Sequence, residues 1–151
     1  MKKVAITIIV AVLALSGFGI YKLVTSLSRA GERGDAAVAG FHGDYNANRI
    51  AAIHSAAAPA FRTSVSMDQF TSLTSMLHEK LGEWKSGDRS GINLHSNNGD
   101  TRLELTYTSK FAKAEGTEEF VFDYNGDEPL LIGYNVKSPA LIEKPAEAPS
   151  P

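Results

Sequence analysis

The sequence predicts an α+β domain behind an apolar N-terminal leader, with three helices packed on a curved antiparallel sheet of four to five strands. Three observations carry this. Apolar residues recur at a spacing near 3.6 before Gly82 and alternate with period two after it. Turn formers in the second half, Asn98-Gly99-Asp100 and Asn125-Gly126-Asp127, separate the alternating runs as hairpin turns do. The run Val4 to Tyr21 holds eighteen residues without a charge.

That run follows Met1-Lys2-Lys3 and would span roughly 27 Å as a helix, close to the ~30 Å hydrocarbon core of a bilayer. Residues 1–25 therefore read as a transmembrane signal anchor, contacting the membrane through residues 4–25. The alternative is a cleaved signal with Ala14 and Ser16 at the cleavage site, which would release the chain to the periplasm. Phe18, Ile20, Leu23, Val24 and Leu27 continue the apolar pattern past that site and favour the anchor. The basic N-terminus resembles bacterial export signals. The expected location is the bacterial inner membrane, single-pass, with the domain in the periplasm.

Residues 26–34, SLSRAGERG, are polar with two glycines and read as a tether, so the domain should span 35–141. Asp35 is a suitable N-cap for a helix carrying Val38, Phe41 and Tyr45, broken at Asn46 to Asn48. A second helix fits Arg49 to Ala58, with Pro59 as its stop. The third begins at Ser66 with Gln69 three residues on, a capping-box pattern, and places Phe70, Leu73, Leu77 and Leu81 on one face until Gly82.

Strands follow. A short one is expected around Ile92 and Leu94, with an edge strand at Trp84, then Arg102 to Thr108, Glu119 to Tyr124 and Leu130 to Val136. Their inward residues are Leu103, Leu105 and Tyr107; Phe120, Phe122 and Tyr124; and Leu130, Ile132, Tyr134 and Val136. Ala114 to Thr117 is a further turn. Residues 142–151, with Pro145, Pro149 and Pro151, read as a disordered tail.

The stretch Gly43 to Gly82, with its Gly43-Asp44-Tyr45 break, Pro59, Phe61-Arg62 and the Ser66 to Phe70 helix start, resembles small bacterial NTF2-like or cystatin-like domains of unknown function. Leu131 to Ser138 is similar to their last strand. The resemblance implies a cone of three helices against a bent sheet, often with a pocket between them. Function in that group runs from isomerases and dehydratases to assembly modules, so the fold does not fix the activity.

Composition removes several classes. The chain has no cysteine, which excludes disulfides, thiolate metal sites and cysteine nucleophiles. The first 25 residues carry +3 and the remainder, with 12 basic and 17 acidic side chains, carries -5, so no nucleic-acid partner is expected. No cofactor motif is present. The four histidines lack metal-ligand spacing; His42 reads as a packing residue and His78 and His95 as exposed positions. Asp123 to Glu128 fails as a calcium loop, since Glu128 stands where glycine is needed.

Two function classes follow. One is a non-enzymatic, membrane-tethered envelope module that binds a protein partner or a small apolar ligand. Trp84, in the polar context Glu83-Trp84-Lys85, is its candidate exposed anchor. The other is a small isomerase or dehydratase using a Tyr/His/Asp set in the cone, drawn from His42, Tyr45, Tyr107, Asp123 and Tyr134. Asp123 alternates away from Phe120 and Phe122, which weakens the enzyme case.

Overall fold

A computed structural model describes residues 26–124 and 128–142. The expected anchor over 1–25, the Asn125-Gly126-Asp127 turn and the tail from 143 onward lie outside the described residues. Among the described residues no helix is long and apolar enough to cross a membrane.

The first helix, α1, covers residues 26–46 and corrects the expected tether. Residues 26–34 are helical, and Asp35 lies inside the helix rather than capping it. Polarity there belongs to a solvent face. The opposite face carries Ala30, Gly34, Val38, Phe41, His42 and Tyr45, all buried at helical spacing. Gly34 permits close approach to the sheet: a Cβ there would stand 2.5 Å from Leu105 Cδ1 and 2.9 Å from Leu103 Cδ2. A residue that locally signals a loop is thus kept for contact.

After the break at Ala47 and Asn48, α2 (Ile50–Ala56) is shorter than the expected Arg49 to Ala58. Pro59 does not merely stop a helix. It occupies the first turn of α3 (Pro59–Ser64), where its missing N–H costs nothing. The third expected helix is α4 (Met67–Lys80), and its capping box is formed reciprocally by Ser66 and Gln69.

Four strands form an antiparallel meander in the order β1 (Trp84–Asn97), β2 (Asp100–Phe111), β3 (Glu115–Asp123), β4 (Leu130–Lys137). The two short segments expected near Trp84 and Ile92 are one strand. Its register shifts at Trp84/Ser86 and Arg89/Gly91 invert the alternation twice and hide its continuity in the sequence. Asn98 and Gly99 both have positive φ, as a tight hairpin turn requires.

A third irregularity corrects β4. Val121 pairs with Gly133 and Phe122 with Leu131, leaving Ile132 as the extra residue. Leu131 is therefore the inward residue at 7 % exposure, and Leu130, expected inward, is 39 % exposed. A short α5 (Pro139–Ile142) follows. One apolar cluster joins Phe41 and Tyr45 of α1, Ile53 of α2, Phe61 of α3, Phe70 and Leu77 of α4 and the inward face of the sheet.

Candidate functional site

β3 alternates buried and half-buried from Glu118 onward, so Glu118 lies on the same face as Phe120 and Phe122. Its exposure is 0 %. A carboxylate held out of water costs several kcal/mol unless its lone pairs are filled (~3–5 kcal/mol appears when one partner is removed). Here they are filled from the two strands that flank β3 and from one helix.

His42 of α1 places Nε2 3.0 Å and 3.2 Å from the two carboxylate oxygens. The Tyr134 hydroxyl of β4 donates to Oε1 at 2.7 Å, and the Ser109 hydroxyl of β2 donates to Oε2. Register explains the convergence. Glu118 pairs with Tyr107 on β2 and Val136 on β4, and Ser109 and Tyr134 are their same-face neighbours two residues along. Trp84 Nε1 donates to Ser109 Oγ at 3.2 Å, and the indole stacks on the His42 ring at 4.1 Å. Gly87 keeps that space open, since a Cβ there would come within 2.8 Å of Ser109 Oγ.

Asn46 fixes the backbone of Trp84: its amide accepts from Trp84 N–H at 2.9 Å and donates to Trp84 C=O at 2.8 Å. No buried side-chain nitrogen or oxygen is left without a partner among the described residues. The knot of Glu118, His42, Ser109, Tyr134 and Trp84 is closed.

Two of the sequence-predicted residues, His42 and Tyr134, thus meet at one carboxylate, and a third, Trp84, joins them through Ser109 and the His42 ring. Trp84 is half-buried, which corrects its expected role as an exposed anchor. Tyr45 and Tyr107 lie nearby but bond elsewhere. The Tyr45 hydroxyl donates to Gly82 C=O at 3.0 Å, and its ring stacks on His78, whose Nε2 meets Tyr45 C=O at 2.9 Å. His78 is accordingly half-buried rather than exposed. The Tyr107 hydroxyl donates to Asp35, which also holds Arg89 Nη1 at 3.0 Å and 3.1 Å. Asp123 is half-buried at the end of β3, on the face opposite Phe122, as the alternation predicted. No group of three or more metal-ligating side chains occurs among the described residues.

Sequence reasoning missed Glu118 and Ser109. The signal was available: Glu118, Phe120, Phe122 and Tyr124 share one parity, but the pair Glu118-Glu119 reads as an ordinary solvated charge run.

Burial raises the phenol pKa of Tyr45, Tyr107 and Tyr134 above the ordinary value. The negative charge of Glu118 adds to this for all three, and the hydrogen bond to Asp35 adds to it for Tyr107. Unfolded phenols titrate near ~10. Above that pH the folded chain holds more protons than the unfolded one, so this contribution is complete below pH ~10 and is lost as pH rises toward the folded values. Alkaline unfolding is expected, with the tyrosinate absorbance of these three residues appearing together with loss of near-ultraviolet circular dichroism. Ionisation of all three near pH ~10 with the fold intact would contradict the burial argument.

Two of the surface clefts among the described residues border α1. One, of about 300 Å3, runs between α1 and β1 over Asp35, Val38, Ala39, His42, Trp84 and Arg89. The other, of about 220 Å3, is apolar and lies between Phe41, Ile53, Ala57, Phe122 and Leu131. The chain matches no protein family, no curated protein and no solved structure.

Proposed function

We propose that the chain is a non-enzymatic binding module, tethered to the bacterial inner membrane by residues 4–25, with an NTF2-like domain on the periplasmic side that engages another protein. The closed knot around Glu118 carries this reading. In a cone that processes a small molecule the interior carboxylate faces an open pocket, whereas here Ser109, Tyr134 and His42 saturate it. What remains are surface clefts. The apolar one, about 220 Å3, falls below the ~300–1,000 Å3 typical of small-molecule sites and suits one apolar side chain of a partner.

The enzyme reading keeps one observation in its favour: His42, Tyr107 and Asp35 line the same cleft. Affinity purification of the full-length chain from native membranes separates the two. A stoichiometric protein partner, lost on filling the apolar cleft with Ala57→Phe, supports the module. A co-purifying small molecule that is chemically altered on incubation, and survives unaltered with Tyr107→Phe, overturns it. A periplasm-dependent reporter fused to the C-terminus should be active; activity confined to cytoplasmic reporters would refute the location.

A further inference from the structure

The tip of the β1–β2 hairpin carries chemistry that neither the knot nor the clefts use. The strands join through Asn97-Asn98-Gly99-Asp100, where Asn97 pairs with Asp100 and only Asn98 and Gly99 lie outside the ladder. All four residues are exposed. Asn98 and Gly99 have φ of 50° and 94°, and a Cβ at Gly99 would meet nothing within 4 Å. Among the described residues neither the Asn98 carboxamide nor the Gly99 N–H has a hydrogen-bond partner.

An asparagine with a free carboxamide before a glycine with a free amide is a reactive pair. The Gly99 nitrogen attacks Asn98 Cγ and gives up its proton; the new C–N bond closes a five-membered succinimide, and the side-chain nitrogen leaves with that proton as ammonia. Water then opens the ring at either carbonyl carbon. One opening gives aspartate, the other isoaspartate, whose main chain runs through the former side chain. Water is the only co-reactant. Every other described asparagine precedes a residue with a side chain, which crowds the attacking nitrogen. Asn46 and Asn135 are held besides by carboxamide bonds to Trp84 and Glu119.

Ring closure needs a backbone conformation at Asn98 other than the left-handed one of the closed turn, so the step proceeds while the tip is open. Little opposes that opening: the Asn97–Asp100 pair and one side-chain bond, Thr101 Oγ1 to Ser96 Oγ at 3.2 Å. We propose that Asn98 is a site of spontaneous deamidation and that isoaspartate there opens the end of the hairpin. A two-residue turn has no room for an additional main-chain atom, so Asn97 and Asp100 lose their pairing. The new carboxylate also stands close to that of Asp100, and the like charges favour the open tip. Thr101 C=O, which accepts from Tyr124 N–H at 2.8 Å, marks the inner limit of the change. The site goes beyond the binding-module reading and does not depend on it.

The test incubates the full-length chain at physiological temperature, at neutral and at mildly alkaline pH, and maps tryptic peptides by mass. Cleavage after Arg89 and Arg102 releases the tip in a peptide separate from that containing Asn125-Gly126. Isoaspartate is read by methyl transfer from S-adenosylmethionine, with an isoaspartyl methyltransferase as reagent. Expected is product at Asn98 before any at Asn46 or Asn135, forming in proportion to hydroxide concentration, with isoaspartate exceeding aspartate. In the converted chain amide exchange at Asn97 and Asp100 should quicken while that at Leu103 and Phe120 stays as it was. Asn98→Gly suits the positive φ, and after the same incubation it should show neither product in this peptide nor faster exchange at the tip. No more product at Asn98 than at Asn46 and Asn135, or a rate indifferent to pH, overturns the site. Unchanged exchange at Asn97 and Asp100 in the converted chain overturns the opening of the hairpin.

Discussion

Replacing Glu118 by alanine is expected to lower the unfolding free energy by about 3–5 kcal/mol, because it strands three buried donors at once. His42 Nε2, the Ser109 hydroxyl and the Tyr134 hydroxyl all end on this carboxylate. A domain of this size is stable by only ~5–15 kcal/mol, so urea unfolding should move to much lower denaturant and the melting temperature should fall by more than ~10 °C. Glu118→Gln separates shape from charge. The amide supplies one acceptor and two donors; the hydroxyls can rotate to accept, but the imidazole N–H cannot, so a smaller loss of about 1–3 kcal/mol is expected. The double variant His42→Ala with Glu118→Ala should cost clearly less than the two single losses together, since each single change leaves the other partner buried and unpaired. Additive losses would show that the two side chains do not act as one unit.

Phe120→Ala should be comparably severe for an apolar reason. The ring is fully buried and lies within 5.0–6.2 Å, centroid to centroid, of Tyr134, Phe41, His42, Tyr107 and Phe122. Truncation removes the transfer energy of the ring and leaves a cavity between a helix and three strands, a loss of about 3–5 kcal/mol. Phe120→Leu keeps most of the volume and should cost about 1–2 kcal/mol. Chemical denaturation reads both: the midpoint should fall with the denaturant slope unchanged. A loss under about 1 kcal/mol for alanine would mean that the surrounding rings collapse into the gap.

The parts of the fold that the sequence revealed are those where local chemistry and tertiary need agree. Ser66 and Gln69 cap α4 reciprocally, through contacts that lie within three residues of one another. Leu103, Leu105 and Tyr107 alternate cleanly because β2 is central and paired on both sides. Errors arose where tertiary contact used a residue against its local preference. Gly31 and Gly34 look like a tether and are contact points, and Pro59 looks like a stop and starts a helix. Bulges at β1 and β4 moved side chains by one face without any compositional mark. The site was half legible. His42, Trp84 and Tyr134 stood out as aromatic or titratable positions, but what joins them is a glutamate whose neighbour Glu119 faces solvent and pairs with Lys137.

The unbroken helicity of α1 has a mechanical consequence. From residue 26 to residue 46 there is no joint, and its inner face is fastened to the sheet through Gly34 and His42. A helix turns about 100° per residue, so one residue inserted between Leu27 and Ser28 would swing Ser26 and Leu27 by that angle relative to the strands, while four would nearly restore the original heading. A loop would absorb such insertions silently. Over residues 26–46, α1 therefore behaves as a keyed shaft: the heading of its first turn relative to the β1 edge is set by residue count.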